Sequence, residues 1–205
     1  VSPNIHYENR ELEGERLELT DKDANYWLGP NLTLRGCTVV IGVGERQVIP
    51  MWGKLIDCTI HAKRELVDAR LTTMSFKGCR FKGRFLGVDF GQRAGDERWW
   101  EHGGVEDCDF SEARLDLCRF QGCDMGTIRL PKWPCFTIVD PLQHGLELLS
   151  VPWPGDFTPV TLKGPLKELP TTVALTFYAP AEAKRSGATL EELKAAVERF
   201  DFIVR

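Results

Sequence analysis

The sequence predicts an all-β chain wound into a coiled β-solenoid and closed by a small C-terminal α+β cap. Three observations predict it. Cys37, Cys58 and Cys79 fall 21 residues apart, and each is followed two positions later by an apolar residue, Val39, Ile60 and Phe81. The same unit of small residue, spacer and large apolar residue returns on a shorter beat in Cys108-Asp109-Phe110, Cys118-Arg119-Phe120 and Cys123-Asp124-Met125. After Leu130 the beat stops, and nine prolines from Pro131 to Pro180 crowd a stretch where they would repeatedly break a ladder of coil hydrogen bonds. Six of the seven cysteines obey the one rule, so they read as interior wall material rather than as chemistry.

The clearest register runs over residues 103–130. Val105, Phe110, Leu115, Phe120, Met125 and Leu130 recur every fifth residue, preceded two positions earlier by Gly103, Cys108, Ala113, Cys118, Cys123 and Ile128. Five of those six preceding residues are small, and the residues between are mostly polar or charged. A helix would scatter these positions, because five steps of ~100° leave each one ~140° from the last. A square coil with one pentad on each side points all of them inward. Cys108-Asp109-Phe110-Ser111-Glu112-Ala113-Arg114-Leu115 and Asp116-Leu117-Cys118-Arg119-Phe120-Gln121-Gly122-Cys123-Asp124-Met125 resemble the repeats of the pentapeptide-repeat family. The resemblance implies a right-handed four-sided β-helix, with a small residue and a Leu or Phe pointing in from each side. It also implies a coil of about twenty residues, close to the spacing of Cys37, Cys58 and Cys79.

Along the chain, residues 1–30 are expected to form an N-terminal strand or cap of the solenoid, with Leu12, Leu17 and Leu19 opening either a first coil or a capping strand. Residues 31–130 form the solenoid. Its register slips between the series Leu34 and Val39, the series Leu55 and Ile60, and the series Leu66, Leu71, Phe76, Phe81 and Leu86. One-residue slips are what bulges at corners produce, and Gly36, Gly42, Gly44, Gly53, Gly78 and Gly83 are the expected corner residues. Between Leu86 and Val105 the beat is lost, which predicts a loop insertion at about residues 87–104. Residues 131–205 read as a proline-rich cap or a binding module. Within them Val173-Ala174-Leu175-Thr176-Phe177-Tyr178 reads as a strand. Thr189-Leu190-Glu191-Glu192 reads as a capping box opening a helix at about residues 189–200, with Leu190, Leu193, Val197 and Phe200 on one face. Trp133 and Trp153 are expected to cement this region to the last coil, and Phe202-Ile203-Val204 to be a final strand.

Composition bounds the function. The formal net charge of −4 and a pI near 5.7 make nucleic acid an unlikely partner, since phosphate neutralisation wants an excess of Lys and Arg. No window approaches the roughly 18 apolar residues of a membrane span, and Val1-Ser2-Pro3-Asn4 opens no signal peptide, so a soluble, cytoplasmic chain without a membrane partner is expected. An odd cysteine count fits a reducing compartment. Cys108, Cys118, Cys123 and Cys135 lack the tight pairing of structural zinc ligands, and His6, His61, His102 and His144 are scattered without a neighbouring motif. Phosphate-loop, dinucleotide, HExxH and GxSxG motifs are not present. No catalytic residue, cofactor or metal site is assigned.

The insertion holds the best functional candidate. Trp99-Trp100, flanked by Arg93, Arg98, Glu101 and His102, resembles an interface anchor, although one tryptophan folded back on the solenoid wall would explain it equally well. A filled solenoid has no internal pocket, so function is expected on its faces, loops or cap. The lead expectation is a non-enzymatic protein–protein interaction module, in concrete form an immunity-type protein that binds and neutralises a bacterial toxin. Two alternatives stand beside it. The family resemblance implies a DNA-mimicking, gyrase-binding protein, weakened by the modest charge and by Arg80, Lys82, Arg84, Arg114 and Arg119 in the repeats. The other is an enzyme with an unrecognised site at Cys135, His102 or His144. The expected partner is another protein, and the helix after Thr189 packs either on the cap or on a second copy, the latter giving a homodimer through the C-terminal region.

Overall fold

A computed structural model describes residues 3–93, 102–157 and 170–205. The chain winds upward through β1 (Asn4–Tyr7), β2 (Arg10–Glu13) and β3 (Arg16–Leu19), then β4 (Asn25–Leu28), β5 (Leu32–Arg35) and β6 (Thr38–Ile41). The next level holds β7 (Val48–Pro50), β8 (Gly53–Ile56) and β9 (Thr59–Val67), and the following one β10 (Ser75–Lys77) and β11 (Arg80–Leu86). Above these lie β12 (Asp89–Gly91), β13 (Gly104–Glu106), β14 (Asp109–Asp116) and β15 (Cys118–Gln121). All of these strands stack in parallel, coil on coil. One side carries β1-β4-β7 and, higher up, β12-β15; a second carries β2-β5-β8-β10-β13; a third carries β3-β6-β9-β11-β14. The fourth side comes from the far ends of β9, β11 and β14, where Leu66, Phe85 and Leu115 are in register. In the lower coils that side is made by residues 21–24 and by the 3-10 turn Glu45–Gln47. The architecture is a β-solenoid, with its few helices near the C-terminus.

The inward pattern forms the core. Leu17, Val39, Ile60, Phe81 and Phe110 are each at most 3% exposed, and Phe81 stacks flat on Phe110 with ring centroids 4.3 Å apart. Phe85, Phe90 and Phe120 close around them in edge-on and stacked contacts. The cysteine column is real. The N–H groups of Thr59, Arg80 and Asp109 donate to the carbonyls of Cys37, Cys58 and Cys79 at 2.9, 2.8 and 2.8 Å, so these cysteines occupy one corner of successive coils.

Three expectations are refined. Of the two alternatives for the N-terminal stretch, the first coil holds, because β1, β2 and β3 are each in register with the strand above. The insertion is shorter than residues 87–104. Val88 and Phe90 are fully buried, and Phe90 pairs with Phe120 in the β12–β15 ladder. Phe85, not Leu86, points inward, and from Phe85 the next inward residue, Phe90, is again five away. Gly36 and Gly78 turn left-handed at a corner, with Asp57 doing the same between them, whereas Gly53 lies inside β8 as an inward small residue under Met74.

The cap extends one solenoid side while reversing its direction. It contains β16 (Cys135–Val139), α1 (Gly145–Ser150), β17 (Thr172–Tyr178), α2 (Ala179–Ser186), α3 (Leu190–Val197) and β18 (Ile203–Val204). β17 runs antiparallel on β15, β16 on β17, and β18 on β16. The upper edge of that sheet is thereby covered, which removes a template for further strand addition. A second core of Phe136, Ile138, Leu148, Phe157, Phe177, Leu193, Val197 and Phe200 lies beyond it, with Trp133 and Trp153 packed against it. The capping box at Thr189 and Glu192 is present. α2 begins at a proline that a coil ladder would not accept; Pro180 stands in the first helical turn, where its missing N–H costs nothing.

Candidate partner-binding site

The side built on β1, β4 and β7 is interrupted. Above β7 the chain touches the ladder only through the single bridge Arg70 to Asp89, then turns inward with Met74 N–H donating to Leu71 O at 3.1 Å. Leu71, Thr72 and Met74 are buried, and the hydroxyl of Thr73 donates to Pro50 O at 3.0 Å. Replacing one strand by this turn leaves a recess of about 840 Å³ in the outer wall. Arg46, Arg70, Arg93 and Arg119 line it together with Glu45, Asp68 and Asp89. Arg119 is fixed there by a forked pair to Asp89, one arm being Nη2 to Oδ2 at 3.0 Å. The Arg46 side chain is 95% exposed and comes within 4.0 Å of the Glu45 carboxylate.

The insertion springs from the rim of this recess. Its two roots are glycines for a steric reason. Gly91 has φ +89°, and a Cβ there would sit 2.1 Å from Gln121 O. A Cβ on Gly103 would sit 2.2 Å from Thr72 O and 2.5 Å from Gly91 O. Both roots therefore press backbone on backbone, beside the turn that makes the recess. Of the six residues expected to bind a partner, Arg93 lines the recess and His102 lies at the other root, its ring 5.7 Å from Trp52. Arg98, Trp99, Trp100 and Glu101 lie outside the described residues. Arg46, Arg70, Asp89 and Arg119 carry no signal as neighbours in the amino-acid pattern, because Leu66, Leu71 and Phe76 keep the five-residue beat where the strand itself is lost.

The residues considered for chemistry are held in structural contacts. Each column cysteine donates its thiol to two carbonyls, as Cys58 does to Leu34 O at 3.4 Å and Ile56 O at 3.3 Å. Burial pushes the Cys118 thiol up to about 12 and that of Cys123 up to about 11. Cys135, also raised by burial, lies against Leu115 O, and His144 stacks flat on Phe202 with centroids 3.7 Å apart. Among the described residues, no three His, Cys, Asp or Glu side chains converge as metal ligands, and no helix is long and apolar enough to cross a membrane. No protein-family model matches the sequence, and no curated protein matches it.

Proposed function

We propose that the chain is a non-enzymatic interaction module of the pentapeptide-repeat type, and that it acts as an immunity-type protein neutralising a bacterial toxin through the recess and its insertion. The observation that carries this is the charged recess itself, where a turn replaces the strand above β7 and Arg46, Arg70 and Arg119 stand with Glu45, Asp68 and Asp89. The filled interior supports it, since Phe81, Phe85, Phe90, Phe110 and Phe120 occupy the space in which a small substrate would otherwise bind. Arginines set against carboxylates around a concavity favour a partner surface of matching mixed charge, with specificity drawn from register.

The experiment is capture from the native host followed by mass spectrometry, using the wild-type chain and Arg46→Glu/Arg70→Glu side by side. A single stoichiometric protein held by the wild type and lost from the variant is expected. That protein, expressed alone, should arrest growth, and co-expression of the chain should relieve the arrest. Retention by both forms would move the contact away from the recess, and a captured protein that is harmless when expressed alone would refute the neutralising role.

A further inference from the structure

The surface formed by β9, β11 and β14, which turns the corner between the third and fourth sides, carries a cation excess that ion pairs within the fold neutralise only in part. β9 and β11 together hold Lys63, Arg64, Arg80, Lys82 and Arg84 against the single carboxylate Glu65. Every carboxylate of the three strands is already engaged: Glu65 with Arg114 at 2.6 Å, Glu112 with Lys82 at 2.9 Å, Asp109 with Arg129 at 3.7 Å, and Asp116 with Arg185 at 2.7 Å. Lys63, Arg64, Arg80 and Arg84 remain exposed with no ion pair among the described residues. Three of them are crowded together. Arg84 is the register partner of Arg114 on the strand above, and on the strand below the chain bulges so that Lys63, Arg64 and Glu65 stand opposite it, the one carboxylate among them being taken by Arg114. Like charges facing across a ladder destabilise it, so this row of cations over three coils is a feature that an anionic partner would relieve.

We infer that this side is a docking surface for a carboxylate-bearing segment of a protein. Its cations stand on β9, β11 and β14, none of whose residues lines the recess, and it does not rest on the function proposed above. An acidic protein segment fits better than a nucleic acid. The cation excess spans only three strands, and the first coil carries Glu8, Glu11, Glu13, Glu15, Glu18, Asp21 and Asp23 against Arg10, Arg16 and Lys22, which would repel a long polyanion running along the axis. Tyr178 adds an aromatic edge beside the row, its ring 4.6 Å below the Arg114 guanidinium.

The test is fluorescence anisotropy with the full chain and a labelled peptide of about twelve residues alternating Glu and Thr, at about 50 mM and about 500 mM salt. Saturable binding that weakens at least about tenfold in high salt is expected, as is a loss of at least about tenfold in Arg64→Glu/Arg84→Glu. Lys54→Glu, exposed on another side, should bind as the wild type does. Both substituted arginines are exposed and their replacement relieves like charge, so thermal unfolding should be unchanged or shifted upward, and that measurement separates lost binding from lost fold. Peptide binding equal in wild type and double variant, equal loss in Lys54→Glu, or no binding at all would each overturn the assignment. A DNA duplex bound as tightly as the peptide would replace the protein segment with nucleic acid.

Discussion

Arg185 on α2 forks onto Asp116 at the end of β14, with Nη1 to Oδ2 at 2.7 Å and Nη2 to Oδ1 at 2.8 Å. The same guanidinium reaches Glu182 at 2.6 Å, and the N–H of Tyr178 donates to Asp116 at 3.1 Å. Asp116 and Glu182 are 6% and 7% exposed, so one cation holds two buried carboxylates, one from the solenoid and one from the cap. Hydrogen bonding to Asp116 raises the Arg185 pKa further, so the guanidinium stays charged at any working pH. Removing one partner of such a set costs more than the set contributes, because the remainder stays buried without compensation. Arg185→Leu should therefore cost about 3 kcal/mol, at the low end for a broken buried pair because the guanidinium is partly exposed to water. Asp116→Asn, which leaves Arg185 its bond to Glu182, should cost about 1–2 kcal/mol. Urea unfolding checks the order, and a smaller loss in Arg185→Leu than in Asp116→Asn would show that the cap is not latched there.

The flat stack of Phe81 on Phe110 joins two coils through the core. Phe110→Ala or Phe81→Ala should each destabilise by about 3–5 kcal/mol, because the column above and below cannot collapse into the space. The two changes together should cost less than their sum, since each removes the partner of the other. Glu112→Gln on the outside breaks only the exposed pair with Lys82 and should cost well under about 1 kcal/mol. Chemical denaturation of the four proteins provides the full cycle.

The interior was legible because a solenoid writes its inside into the sequence as a one-dimensional beat. Cys108 to Phe120 could be placed residue by residue for that reason. The beat fails where the outside changes length. Lys63, Arg64 and Glu65 stand on β9 where β11 has only Arg84, and this bulge shifted the inward position from Leu86 to Phe85 and hid β12. The recess was illegible for the opposite reason: Leu71 and Met74 still point inward while the backbone between them leaves the strand. In the cap, β17 and the box at Thr189 announced themselves by local chemistry. α2 did not, because a proline in a first turn and a proline that ends a helix are the same letter.

The roots of the insertion give a local test. Gly103→Ala drives a Cβ into two carbonyl oxygens, neither of which can swing away as a side chain would, and should cost about 1–3 kcal/mol. Gly44→Ala is the matched control. Gly44 has φ −75° and nothing within 4 Å of an added Cβ, so alanine there should be neutral or stabilise by up to about 1 kcal/mol through the unfolded chain. Hydrogen exchange should show that Gly103→Ala loosens Gly91 and Thr72 along with the insertion, and unchanged protection at Thr72 would mean that the root is not held by this contact.

The thiols supply the last prediction, and it bears on whether any cysteine does chemistry. All seven are free, and only Cys123 is not fully buried. With its thiol pushed up to about 11 by burial, Cys123 is almost wholly protonated at pH 8 and should react slowly, accelerating as the pH rises toward that value. Cys118, pushed up to about 12, should lag behind it. Cys58 tests the argument more sharply. The neighbouring Cys79 thiol pulls its pKa down, yet the residue is 1% exposed, so access rather than ionisation should limit its rate. A disulfide reagent at pH 8 should thus label Cys123 first and slowly, and all seven sites only in denaturant. Rapid native labelling of Cys135 or Cys58 would mean that the wall opens, and would reinstate a cysteine nucleophile as a serious reading.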